Sequence, residues 1–322
     1  MQPHQLNPII EPQFNAVTDY IINNLGSNVP LVESIAHHIV EGGGKRIRPL
    51  LVLLAANAGG YKGSQHIPLA AVIEFIHTAT LLHDDVVDNS ELRRGSETAN
   101  TKWGNAPSVL VGDFLYSRAF QLMVDIDRME IMGVISHATT IIAEGEVLQL
   151  LNQRNPDTSE EAYLHVILGK TAMLFEAATE VGAILSDCPA DQREGLRLFG
   201  RHLGIAFQII DDLLDYLSDS ETMGKNVGDD LAEGKATLPL IHAMKVSNED
   251  DRLVIRNAIR SGGLEDLSPV LDIVQRCGSI DYARQKAAVE IDTAKAAING
   301  LPETSFKATL MQIADLAIER TQ

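Results

Sequence analysis

Only two cysteines, Cys188 and Cys277, occur among 322 residues, too few for the disulfide framework that staples small secreted folds. No stretch free of Asp, Glu, Lys and Arg exceeds 13 residues, the length of Pro49–Tyr61 and Ile131–Ala143, whereas a bilayer span takes about 18 to 20. The start, Met1 to Asn15, lacks the basic-then-apolar build of a secretory leader. A cytoplasmic protein without a membrane span is therefore expected. Basic residues are also scarce, 26 against 44 acidic ones for a formal charge of -18. That balance opposes non-specific binding to nucleic acid or anionic lipid, so any phosphate ligand needs local basic loops.

Alternating Val/Ile/Thr/aromatic runs are few, and no long Pro/Gly/Ser linker divides the chain. Apolar residues instead recur at spacings of three and four, the helical period. Helices are expected over roughly 12–24, 30–40, 49–58, 68–89, 107–124, 130–152, 159–185, 191–218, 237–246, 250–261, 266–276, 279–298 and 303–320, with no convincing strand. Thr158-Ser159-Glu160-Glu161 offers hydroxyl caps followed by first-turn acids, and Gly42-Gly43-Gly44 stops the helix before it. One all-α domain over 1–322 is expected.

Two short acidic clusters share one pattern, Asp84-Asp85-Val86-Val87-Asp88 and Asp211-Asp212-Leu213-Leu214-Asp215. On a helix, residues three and four apart are neighbours, so each Asp-Asp-x-x-Asp gathers its carboxylates along one edge. The lead-in segments, Phe75–Leu82 and Leu203–Ile210, are apolar on nearly every side, as in a helix surrounded by protein. Carboxylates crowded there raise one another's pKa and call for a cation. Oxygen-only ligands suit a hard ion, and Mg2+ favours one or two carboxylates with waters and phosphate oxygens, which points to a diphosphate held between two acidic helices.

Three basic loops are candidate anion cradles. Gly42-Gly43-Gly44-Lys45-Arg46-Ile47-Arg48-Pro49 precedes an apolar helix, Arg93-Arg94-Gly95 follows the first acidic cluster, and Gly224-Lys225 with Gly234-Lys235 follows the second. Each has a bland alternative: a glycine helix stop with solvated cations, a charge-balancing turn, an ordinary polar connection. His77 lies seven residues before Asp84 and Gln208 three before Asp211, each on the acidic edge of its helix or an ordinary hydrogen-bonded polar group. Lys170-Thr171 offers a further phosphate contact, or a lysine snorkelling from its helix.

Together, Gly-Gly-Lys-Arg-x-Arg-Pro, Asp84 to Asp88 with Arg93-Arg94-Gly95, Lys170-Thr171, Phe207-Gln208 before Asp211 to Asp215, and Gly224-Lys225 through Lys235 resemble the trans-type polyprenyl diphosphate synthases. Phe75 to His83 is similar to the bacterial octaprenyl group within that family. The motifs fall in family order between residues 42 and 239; Met173 departs from the pattern, where relatives often carry a polar residue. The resemblance implies a helical bundle of the isoprenoid synthase type around a deep central cavity, usually a homodimer, with the acidic motifs facing across the cavity mouth. It implies that Asp84, Asp85, Asp88, Asp211, Asp212 and Asp215 bind Mg2+ on an allylic diphosphate such as farnesyl diphosphate. Arg93, Lys170, Thr171, Gln208, Lys225 and Lys235 would hold that diphosphate, and Lys45, Arg48, His77 and Arg94 would hold isopentenyl diphosphate. Arg46 would support its loop without a direct role.

The implied chemistry is repeated head-to-tail elongation, with charge on the departing diphosphate stabilised by metal and cations and with water kept from the allylic cation. Ala79, five residues before Asp84, stands where short-product relatives place a bulky aromatic, and only two residues separate Asp85 from Asp88. A long product is therefore expected, octaprenyl diphosphate for a quinone side chain, with Met123 as the candidate floor some 25 Å along its helix at about 1.5 Å per residue. Three alternatives stand beside it: the same reaction ending at geranylgeranyl or solanesyl diphosphate, a terpene cyclase or head-to-head synthase, and a non-catalytic partner of a synthase. The Lys45/Arg48 loop argues against the second, and six intact aspartates against the third.

Overall fold

The computed structural model describes residues 3–217 and 228–319. Helices form where the apolar period predicts them, α1 (Ile10–Asn23), α2 (Pro30–Glu41), α3 (Ile47–Ala58), α4 (His66–Val87), then α5 (Ala99–Trp103), which no apolar period marks, and α6 (Asn105–Ile126), α7 (Met129–Asn152), α8 (Glu160–Ile167), α9 (Met173–Leu185) and α10 (Ala190–Leu217). From residue 228 onward come α11 (Asp229–Ala232), α12 (Leu238–Val246), α13 (Glu249–Ser261), α14 (Leu267–Arg276), α15 (Ser279–Ala297) and α16 (Ser305–Glu319). The all-α class is thus observed. By its internal contacts the chain groups into two compact units, and several helices contribute residues to both.

The first unit comprises Met1–His137, Leu174–Gly200 and Ala297–Ile313. Its centre is α4, which runs along α6 and also packs on α3 and α1. Apolar on nearly every side, α3 buries Pro49 to Ala56 without interruption, as expected of a helix with no solvent face. Phe75, Phe175 and Phe199 are fully buried, each worth roughly 1.5–3 kcal/mol relative to exposure. The second unit comprises Ala138–Met173, Arg201–Ala296 and Ala314–Gln322. Tyr216 of α10 joins Leu231, Leu240, Ile255, Ile259, Val270 and Ile273 in one of its apolar clusters. Ser159 caps α8 as its sequence suggests, accepting the Ala162 N–H at 3.1 Å.

Three local features depart from the expectation. Leu92–Arg93 and Ser96–Glu97 pair as an antiparallel hairpin, β1 and β2, with strands too short to show alternation in sequence. The helix expected over 159–185 contains a π-turn, Leu168–Ala172, between α8 and α9. Finally, α7 is long and apolar enough to cross a membrane by length and composition. A search for uncharged runs passes over it because Glu144 and Glu146 lie within the helix.

Candidate active site

In the first unit the acidic edge forms at the C-terminal end of α4, where Asp88 is the C-cap and its N–H donates to the Asp84 carbonyl at 2.8 Å. Helix carbonyls already make this end negative, so carboxylates there are unfavourable until a cation arrives. Asp85 is fully buried and answered from within the protein: Arg93 donates through Nε at 3.0 Å and Nη2 at 2.8 Å. Asp84 and Asp88 are part-exposed. The β1–β2 turn is Arg94-Gly95, both at positive φ (52° and 78°), the pairing a tight two-residue hairpin demands. It sets Arg94 against the Gly44 backbone, where an added Cβ would lie 2.5 Å from Nη1.

The glycine-rich loop leads into α3 through Arg46, held left-handed at φ 44°. Its guanidinium donates to Thr18 Oγ1 at 2.7 Å and to the Val40 carbonyl at 3.3 Å. Arg46 thus braces the loop. Arg48 lies over the Phe175 ring, 4.5 Å from its centroid, and donates through Nη1 to His77 Nε2 at 3.2 Å. Burial, reinforced by Arg48, Arg94 and Arg93, holds His77 well below its ordinary 6.5. The imidazole is therefore neutral, with Nε2 as acceptor. Lys45 is exposed at the start of this shelf.

In the second unit a hydrogen-bond chain converges on Asp212. Tyr163 donates through its hydroxyl to Oδ2 at 2.6 Å, Gln208 through Nε2 to Oδ1 at 2.7 Å, and Thr171 through its hydroxyl to Gln208 Oε1 at 2.7 Å. Burial, then the charge of Asp230, pushes the Asp212 carboxyl well above the usual range; the Tyr163 and Gln208 bonds pull against this. Asp215 accepts the backbone N–H groups of Asp229 and Asp230, each at 3.2 Å, and so caps α11. Asp211 is part-exposed. The π-turn carries Lys170 and Thr171, and Lys170 pairs with Glu146 of α7 at 2.7 Å; such turns recur at functional sites. Gly145 permits this approach, since a Cβ there would meet the Lys170 nitrogen at 2.7 Å. Lys235 pairs with Glu233, and Lys225 lies outside the described residues.

Each unit therefore assembles its own sequence-marked residues: Lys45, Arg48, His77, Asp84, Asp85, Asp88, Arg93 and Arg94 in one, Lys170, Thr171, Gln208, Asp211, Asp212, Asp215 and Lys235 in the other. Ala79 and Met123 are both buried in the first unit. Sequence reasoning missed Tyr163, Glu146 and Glu74. Of these only Glu74 carried a signal, an acid inside the apolar run Ile73-Glu74-Phe75. A donor set of carboxylate oxygens at helix C-termini fits a hard cation such as Mg2+. Among the described residues no three acidic, His or Cys side chains close a cage unaided; Mg2+ in phosphate sites is completed by waters and substrate oxygens.

The polyprenyl synthetase family matches residues 29–274. The chain is 50% identical over 321 residues to the octaprenyl diphosphate synthase of Escherichia coli (strain K12), with 99% of each covered. It is 51% identical over 318 residues to the all-trans-nonaprenyl-diphosphate synthase (geranyl-diphosphate specific) of Rhodobacter capsulatus, covering 98% of this chain and 97% of that one. A solved polyprenyl synthase from Caulobacter crescentus CB15, complexed with calcium and isoprenyl diphosphate, matches with a TM-score of 0.95 at 42% identity, covering 99% of this chain and 98% of that chain.

The depressed pKa of His77 makes a pH prediction. Between its folded value and the unfolded 6.5, the unfolded chain binds the extra proton, so stability is full above that range and falls as pH drops through it. The Tm advantage of wild type over His77→Gln should therefore shrink between pH 7.5 and pH 5; an advantage independent of pH would contradict a buried neutral imidazole.

Proposed function

Because the chain belongs to the polyprenyl synthetase family, whose members are prenyltransferases, we propose that it adds isopentenyl diphosphate repeatedly to an allylic primer such as farnesyl diphosphate, giving mainly octaprenyl diphosphate. The observation that carries this is the acidic end of α4 set in the same unit as the Arg48–His77 pair, Arg93 and Arg94. An activity that grips a diphosphate through a hard cation and a second diphosphate through guanidinium forks needs both.

Asp84, Asp85, Asp88, Asp211, Asp212 and Asp215 would together hold Mg2+. Asp84, Asp88 and Asp211 are part-exposed, and Asp85, Asp212 and Asp215 also accept hydrogen bonds, from Arg93, from Tyr163 with Gln208, and from two backbone N–H groups. Bound there, Mg2+ supplies Lewis-acid neutralisation of charge on the allylic diphosphate. Lys170, Thr171, Gln208, Lys225, Lys235 and Arg93 hold the same leaving group. Lys45, Arg48, Arg94 and neutral His77 orient isopentenyl diphosphate so that its double bond attacks C1 as the C1–O bond breaks. A proton then leaves the adduct for the released diphosphate, restoring an allylic diphosphate five carbons longer. Fixed charges of this kind stabilise the departing anion without reorganising at the moment of reaction.

Ala79 leaves room for a growing chain, and Met123 limits it. A homodimer is proposed through the outer face of α6, where Leu110 and Val124 are each 65% exposed and Tyr116, Ser117, Phe120, Gln121 and Val124 line a shallow cleft of about 440 Å³. The cytoplasm is the proposed location, and a quinone side chain the proposed destination of the product.

Protein supplied with Mg2+, farnesyl diphosphate and labelled isopentenyl diphosphate should make mainly a forty-carbon product on chromatographic sizing. Absence of any elongation would reject the function. In the same assay Ala79→Tyr should shorten the product and Met123→Ala lengthen it, and unchanged distributions in both would reject this account of length control. Gly145→Ala, by displacing the π-turn under Lys170, should raise the KM for the allylic diphosphate roughly tenfold with little change for isopentenyl diphosphate. Equal shifts in both KM values would show that the turn does not serve the allylic site.

A further inference from the structure

Glu74 stands three residues before His77 on α4 and so on the same face. Its side chain is only 13% exposed, Arg46 Nε lies 3.8 Å from Oε1, and Oε2 is buried without a hydrogen-bond donor among the described residues. Burial raises the Glu74 carboxyl above its ordinary value, and Arg46, then Arg48 and Arg94, pull it back toward the charged form. One carboxylate thus lies in the field of three guanidinium groups, with Arg46 at ion-pair distance. Arg46 is also tied to Thr18 of α1 and Val40 of α2, Arg48 to His77, and Arg94 rests on Gly44.

We propose that Glu74 is a positioning residue for isopentenyl diphosphate, its carboxylate holding the mutually repelling Arg46, Arg48 and Arg94 in a preformed array for the diphosphate. Two effects of this carboxylate oppose each other. As a negative charge it weakens attraction for an anion; as the common anchor it keeps the guanidinium groups from splaying before the substrate arrives. Three cations crowded at a part-buried shelf would otherwise separate towards solvent, and rebuilding the array would fall to each binding event. The incomplete hydrogen bonding of Oε2 suits an anchor that answers several cations through charge rather than one through a fixed fork.

The inference rests on assigning Arg48, His77 and Arg94 to isopentenyl diphosphate, and the experiment separates the two. Steady-state KM values for isopentenyl and farnesyl diphosphates would be measured for wild type, Glu74→Gln, Glu74→Asp and Arg48→Gln. Glu74→Gln should raise the KM for isopentenyl diphosphate roughly ten- to a hundredfold, leave that for farnesyl diphosphate within about twofold, and be partly rescued in Glu74→Asp. An unchanged or lowered KM for isopentenyl diphosphate, or parallel loss across both substrates, overturns the proposal. If Glu74→Gln does not fold, Glu74→Asp decides alone: a selective rise for isopentenyl diphosphate supports positioning and no rise overturns it. Arg48→Gln raising that KM while the Glu74 variants do not overturns the role of Glu74 only. Arg48→Gln leaving it unchanged overturns the site assignment and the proposal with it.

Discussion

Carboxylates crowded at the C-terminal ends of helices are electrostatically expensive, and the rest of the site is arranged around that constraint. Asp84, Asp85 and Asp88 close α4, and Asp211, Asp212 and Asp215 occupy the last turns of α10. At the end of α4 the helix dipole adds to mutual repulsion, by roughly 0.3–1 kcal/mol per charge, and in α10 burial raises the Asp212 carboxyl. The protein answers part of this itself. Arg93 takes Asp85, Tyr163 and Gln208 take Asp212, and the first N–H groups of α11 take Asp215. In the proposed function a hard cation held by the six aspartates would relieve the remainder. Mg2+ bound there would be completed by phosphate oxygens, which would couple metal capture to substrate capture.

The basic side is built by a different device, backbone held in uncommon conformations. Arg46 and Arg94 both have positive φ, a conformation costing a residue with a side chain roughly 1–2 kcal/mol, and each is kept there by surrounding structure. For Arg94 the cause is the tight β1–β2 turn; for Arg46 it is the pair of bonds to Thr18 and Val40. Neutral His77 completes the shelf, because an imidazolium would repel Arg48 whereas a free Nε2 lone pair accepts from it. In the second unit the π-turn plays the corresponding part, offering Lys170 and Thr171 from one interrupted helix.

Helices were legible wherever burial made the apolar pattern continuous, as in α3 and α4, and their ends fell within a few residues. The pattern failed where a feature was too short to have a period. The four paired residues of β1 and β2, the five of α5 cut off by Gly104 at φ 89°, and the π-turn all belong to this class. Candidate residues were legible when their chemistry repeated, as in the two Asp-Asp-x-x-Asp runs. Tyr163 and Glu146 were not, since each acts through a partner more than twenty positions away, Asp212 and Lys170. A residue whose value lies in orienting another has no motif of its own. Glu74 is the intermediate case, visible as an acid among apolar neighbours yet without meaning until the arginines gather beside it.

Product length is separable from this chemistry. Relatives named for octaprenyl and nonaprenyl products are 50% and 51% identical to the chain over nearly its whole length, so overall similarity does not rank one product above the other. In the proposed function the acidic edges and basic shelves act on diphosphates and on C1, groups that are the same at every round. What changes between rounds is only the volume of hydrocarbon to be housed, and a core packed as tightly as a crystal responds to single side chains. At Ala79, fully buried on α4, a methyl group occupies the position, and an aromatic ring there would fill space equivalent to more than one isoprene methyl branch. At Met123, buried on α6, the side chain is unbranched and adaptable. As the proposed floor, such a residue would stop a chain by accumulated crowding and not by a hard wall, so the expected distribution centres on one length with its neighbours represented.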